Sequence, residues 1–172
     1  MGKSNKRSEC KNVNESFLST ARARGETTRT MSVSASQLFA AFEDGDSWPE
    51  WVPVIRRVQW TSPKPYGVGT TRTVTLLGGI ELDERFWAWE QNRHMGFVVT
   101  ASSSGMTRAL IESYEVTPID ARSCTLRWRM AMELSSPLSF VAPYMKSSLG
   151  PALNSLLAKL EKVASRYPST TV

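Results

Sequence analysis

Between Val54 and Leu134 the sequence offers six segments of strand character in succession, and the turns between them are too short to hold a helix. The segments are Val54–Thr61, Thr70–Leu77, Ile80–Glu90, Met95–Ala101, Arg108–Val116 and Cys124–Leu134. They are punctuated by Pro63–Gly67, Gly78-Gly79, Gln91–His94, Ser102–Gly105 and Pro118–Ala121. Strands joined by hairpins pair antiparallel, and a sheet with one apolar face must have that face covered. Only one long amphipathic pattern is left to cover it, and it comes last. Ser135-Ser136-Pro137 reads as its capped start, and Leu149, Leu153, Leu156, Leu160 and Val163 recur at three- and four-residue spacing. Pro143 and Gly150-Pro151 predict a kink or break in its first half.

Ahead of the six segments, residues 26–33 are β-prone. Ser34 or Ser36 can then cap a short helix through about Glu43, and Ser47 a second turn over Trp48-Pro49-Glu50-Trp51. The expected fold is therefore α+β: a curved antiparallel sheet of about seven strands wrapped around a long C-terminal helix, with two short helices after the first strand. The domain spans residues 26–167, between a disordered basic leader (1–25) and a tail (168–172).

An even-length turn at Gln91–His94 would set Glu90 opposite Met95, Ala88 opposite Phe97, Phe86 opposite Val99 and Glu84 opposite Ala101. Phe86, Ala88, Phe97 and Val99 then point inward, and Trp87 and Trp89 point outward beside Gly96. In the last strand Leu126, Trp128, Met130, Met132 and Leu134 alternate with Thr125, Arg127, Arg129, Ala131 and Glu133, so the arginines face water. Glu112 shares a face with Leu110, Tyr114 and Val116. Glu84 is placed the same way. A carboxylate on an apolar face is costly unless it is paired, neutralised or solvated. Strand curvature could carry both glutamates to a solvated rim, or a core arginine such as Arg72 could pair with them.

The net charge of +5 points toward nucleic acid until it is located. Residues 1–30 hold seven basic and three acidic residues, and the remainder 14 and 13, so the domain is close to neutral. No basic stripe lies on the fold, so no nucleic-acid partner is expected; the basic leader suits weak contact with anionic surfaces. No run of about 18 apolar residues exists, and no apolar stretch follows the basic N-terminus, so neither a transmembrane segment nor a secretory signal is expected. Cys10 and Cys124, with His94 the one histidine, make a poor metal set, and no metal or other cofactor is expected. Two scattered cysteines fit a reduced, cytoplasmic setting.

Several phrases resemble the SRPBCC superfamily, the START-like or helix-grip fold that includes polyketide cyclase/dehydrase-type proteins. They are Val33-Ser34-Ala35-Ser36 with Leu38-Phe39 leading to Trp48-Pro49-Glu50-Trp51-Val52-Pro53; Gly67-Val68-Gly69-Thr70; Glu84 through Glu90 running into Arg93 and Met95-Gly96-Phe97; and Tyr114-Glu115-Val116-Thr117-Pro118 followed by Thr125-Leu126-Arg127-Trp128. The usual proline pair of the turn after Glu90 is replaced here by Gln91-Asn92. The resemblance implies a hydrophobic cavity between sheet and long helix that binds or carries lipids, polyketides or similar molecules; in some members the cavity guides cyclisation or dehydration.

The residues expected to line such a cavity are Trp51, Val58, Trp60, Val74, Leu76, Glu84, Phe86, Ala88, Phe97, Val99, Leu110, Glu112, Tyr114, Trp128, Met130, Met132, Tyr144, Leu149, Leu153 and Leu156. No nucleophile stands out, and His94 reads as an exposed turn residue. If chemistry occurs it is proton transfer, with Glu84, Glu112 and Tyr114 as candidates. Three readings stay open: a binder or carrier of a small hydrophobic ligand, a cyclase or dehydratase using a cavity carboxylate, and an interaction domain docking a protein or membrane through Trp87 and Trp89. The sequence leaves the oligomeric state undetermined.

Overall fold

The structure is a computed structural model describing residues 7–135 and 142–169, with only the backbone described for 142–148. Its strands are β1 (Ser8–Glu9), β2 (Ala23–Met31), β3 (Ile55–Trp60), β4 (Thr71–Leu76), β5 (Glu81–Glu90), β6 (His94–Ser102), β7 (Thr107–Pro118) and β8 (Cys124–Leu134). They form one antiparallel sheet in the order β2-β8-β7-β6-β5-β4-β3, and off this path β1 pairs with the end of β6 at Ala101 and Ser102. Helices α1 (Phe17–Thr20), α2 (Ala35–Glu43) and α3 (Trp48–Trp51) are short, and α4 (Ala142–Ala164) is long. The expected α+β helix-grip architecture is the one observed.

Local chemistry explains the helix starts. Ser34 caps α2 by accepting from the Gln37 amide while the Gln37 side chain accepts from the Ser34 amide, a reciprocal capping box. This buries Leu38, Phe39 and Phe42 against the sheet and α4. Ser47 stands before α3 without the expected cap, its hydroxyl donating to the Ala41 carbonyl at 2.5 Å, and Pro49 in the first turn starts the helix that buries Trp48 and Trp51. The Ser135-Ser136-Pro137 start lies at and beyond the edge of the described residues.

Helix α4 packs chiefly on β2, at one edge of the sheet. Two glycines make that approach close: a Cβ on Gly25 would come within 2.5 Å of Leu149 Cβ, and one on Gly150 within 3.1 Å of the Glu26 carbonyl. Glu161 fixes the far end by accepting from the Ser32 amide at 2.7 Å. Of the kink or break expected at Gly150-Pro151 the break is absent, since α4 runs through Pro151. A helix-interior proline loses one ladder hydrogen bond and crowds the carbonyl four residues back, and packing on β2 holds the turn against that cost.

Two further expectations are corrected. The turn after Glu90 has three residues, with Asn92 at φ 63°, so Glu90 faces His94 and Trp89 faces Met95. Bulges at Phe86/Ala88 and Asp83/Glu84 then set Phe86 opposite Phe97 and Glu84 opposite Val99. The first bulge turns Trp89 inward, where it meets Phe39, Trp60 and Phe86 edge to face, and leaves Trp87 outside over Gly96.

The leader is not disordered over residues 7–25. Leu18 and Ala21 are buried with Val98, Ile111 and Ala131, and Val13, Phe17 and Trp87 pack around them on the outer face of the sheet. Arg7 ion-pairs with Asp83 and with Glu81, and Lys11 with Glu133 at 2.6 Å. Val13, Phe17, Leu18 and Ala21, a short run at helical spacing, supply the anchor, and carboxylates of the domain pair with Arg7 and Lys11. Strand β2 accordingly starts at Ala23, earlier than expected.

Candidate functional site

Between the inner face of the sheet and the middle of α4, residues 149–156, lies a cavity of about 310 Å³. Strands β4 to β8, the α3–β3 connection and α4 all contribute to its wall. The expected residues Val74, Leu76, Glu84, Phe97, Leu110, Glu112, Tyr114, Trp128, Met130, Met132, Leu149, Leu153 and Leu156 line it. Most project from alternating positions on β4, β7 and β8, where the period of two makes the inward face readable. Val54, also on the wall, is 47% exposed and marks where the cavity meets solvent.

Six expected residues do not line it. Trp51 and Val58 are buried elsewhere in the core, Trp60 and Phe86 stack on each other in an aromatic cluster with Tyr66 and Trp89, Val99 is buried, and Ala88 sits at the bulge. Tyr144 falls among side chains outside the described set. Reasoning from the sequence missed Trp48, Val52, Val54, Ile55, Arg72, Leu82 and Ala152. Arg72 was readable as a partner for a carboxylate, and its register opposite Glu84 supplies the reason it belongs to the wall.

At the deep end the lining becomes polar. Arg72 is 1% exposed, Glu84 5% and Glu112 7%, so neither glutamate escapes to a rim. Arg72 donates from Nε to Glu84 at 2.6 Å, and its guanidinium lies over Trp48, 4.1 Å from the ring centroid, and 4.7 Å from that of Phe97. Burial pushes the Glu84 carboxyl up, and the Arg72 charge and hydrogen bond offset that only in part, so it stays raised. Glu112 accepts from the Tyr114 hydroxyl at 2.5 Å and from Trp128 Nε1 at 2.9 Å, both on Oε2. Burial outweighs those bonds and pushes its carboxyl up to about 7. Tyr114 is raised well above the usual phenol range, by burial and by Glu112, and stays a donor.

His94 lies on the outer face, half-buried against Trp87, with Nε2 3.0 Å from Ser113 Oγ, instead of on an exposed turn. Cys124 is buried and its thiol is pushed up to about 12, so it supplies no thiolate. Among the described residues no group of three or more His, Cys, Asp or Glu side chains is arranged to hold a metal ion. No described helix is long and apolar enough to cross a membrane.

The family model for polyketide cyclase / dehydrase and lipid transport proteins matches residues 22–165. The chain belongs to that family. Uncharacterised proteins of Mycobacterium tuberculosis and Mycobacterium bovis are 37% identical over 153 residues, covering 89% of this chain and 91% of theirs. A START superfamily protein from Mycobacterium smegmatis superposes with a TM-score of 0.69 at 16% identity, over 84% of this chain and 98% of that one. An aromatase/cyclase from a Streptomyces species gives 0.64 at 14% identity, over 83% and 93%. These structural likenesses show the START-like fold.

Proposed function

We propose that this protein binds a small hydrophobic molecule inside the cavity between its sheet and α4. The carrying observation is the wall itself: side chains of Val74, Leu110, Met130, Met132, Leu153 and their neighbours enclose about 310 Å³ of space. Ligand pockets run from roughly 300 to 1,000 Å³, so this one suits a single acyl chain or two fused rings. The family match and the START-like neighbours support the same reading. Native mass spectrometry of the purified protein, together with titration of the neutral fluorophore N-phenyl-1-naphthylamine, tests it. A co-purified mass or saturable probe binding is expected, and Met132→Trp should abolish it by filling the cavity. Probe binding unchanged in that variant would refute the reading.

Glu112 favours a second reading, proton transfer on the bound molecule. A carboxyl with a value of about 7, buried beside a phenol and an indole donor, is matched to general acid or base work near neutral pH. A captured ligand recovered chemically changed from the wild type but unchanged from Glu112→Gln would establish it. Identical recovery from both leaves carriage alone.

A further inference from the structure

The guanidinium of Arg72 carries more hydrogen-bonding capacity than the protein uses. Nε is taken by Glu84, yet Nη1 and Nη2 are buried with no partner among the described residues. Arg72 lines the cavity and is 1% exposed, so these donors have no bulk solvent to turn to. Trp51 Nε1 is also unpartnered, but Trp51 does not border the cavity. Buried donors left unpaired each cost free energy, and a guanidinium presents its two Nη groups as a planar fork.

We infer that the cavity is built for a hydrophobic carboxylic acid, whose carboxylate accepts hydrogen bonds from Nη1 and Nη2 of Arg72 while its apolar part lies along Leu110, Met130, Met132 and Leu153. This deepens the ligand-binding reading above and rests on it. The two oxygens of a carboxylate match the fork, whereas a lone carbonyl oxygen offers one atom to two nitrogens. Trp48 and Phe97 on the cavity wall, with Trp60 and Phe86 behind it, hold the guanidinium among four rings at 4.1–5.4 Å, none of which can accept a conventional hydrogen bond from Nη1 or Nη2. Charge also favours the smaller anion. The Arg72–Glu84 pair is neutral when Glu84 is ionised, so a carboxylate adds one negative charge to the dry site where a dianion such as a phosphate monoester would add two. A protonated Glu112 adds none.

Matched pairs of ligands test the proposal: dodecanoic acid against methyl dodecanoate, and 1-naphthaleneacetic acid against its methyl ester. Displacement of N-phenyl-1-naphthylamine gives the affinities at pH 6.5. In the wild type at least one acid should bind about tenfold or more tighter than its ester, the size of a charge-assisted hydrogen-bonded pair. That preference should vanish in Arg72→Lys, which keeps the charge but lacks the fork, and in the double variant Arg72→Met/Glu84→Gln, which leaves no buried charge unpaired. Acids and esters binding equally well would overturn the carboxylate proposal and leave the hydrophobic-ligand reading standing. A preference that survives in both variants would likewise overturn the role of Arg72. Failure of all four ligands to displace the probe would overturn the carboxylate site, while failure of the probe itself to bind would sink the ligand-binding reading beneath it.

Discussion

On the inner face of the sheet Arg72, Glu84 and Glu112 are held out of water among aromatic rings, whereas on the outer face Arg7, Lys11, Arg127 and Arg129 meet carboxylates at or near solvent. The number of ion pairs favours the outside. The energy at stake favours the inside, because an exposed pair is screened and a buried charge without its partner has no water to fall back on. The outer charges dress an anchor segment that small apolar side chains hold in place. The inner ones define the polar end of a cavity and keep donors in reserve.

The largest test of that contrast removes one inner charge. Arg72→Met leaves Glu84 buried and unpaired, and urea denaturation should show a loss of about 3–5 kcal/mol, mostly recovered in Arg72→Met/Glu84→Gln. A loss below 1 kcal/mol would mean that Glu84 reaches water. Next comes pH. Glu112 binds its proton more tightly folded than unfolded, so its contribution is fully present below pH 4.5, is lost as pH rises toward about 7, and stays flat beyond. A shift of this size is worth on the order of 3 kcal/mol. Glu112→Gln should therefore flatten the fall in melting temperature between pH 5 and pH 8 and be the more stable form at pH 8.

On the outer face, Leu18→Ala removes a buried contact of the leader and should cost about 2 kcal/mol, with faster amide exchange over residues 8–20. The smallest change belongs to an exposed pair. Lys11→Ala, which breaks the contact with Glu133, should shift stability by less than about 1 kcal/mol, and the difference should disappear in 0.5 M salt. If Lys11→Ala proved costlier than Leu18→Ala, the anchor would be electrostatic.

The succession of hairpins from β3 to β8 was legible because hairpin turns and period-two alternation are local signals, and Leu126, Trp128, Met130 and Met132 of β8 were read inward correctly, while Ala131 on the other face is buried under the leader. The β5–β6 register was not legible. Asn92 in the left-handed region and two bulges change the count of paired residues without changing composition, and one of them moves Trp89 from the outside to the core. The leader escaped for a different reason: Val13, Phe17, Leu18 and Ala21 fall at helical spacing, but four apolar residues among Ser, Asn, Lys and Arg make too short a stripe to stand out, and they gain meaning only against Val98, Ile111 and Ala131. In the cavity, the β4, β7 and β8 residues could be named from the pattern. Arg72 stands on the same period-two face as Val74 and Leu76 and was passed over only because it is charged, whereas Trp48 and the α3–β3 residues reach the wall through long-range packing that no local period encodes.

The seating of β2 against β8 also sets a schedule for the newborn chain. Glu26 must find Arg127, 101 positions later, and α4 then docks on β2 from still further along. At roughly 5–20 residues per second, the first long strand waits some 5–20 seconds on the ribosome for its neighbour. During that interval Met31 and the apolar groups of α2 have no sheet to cover them, so a nascent chain halted before Cys124 should recruit chaperones that the finished protein does not need.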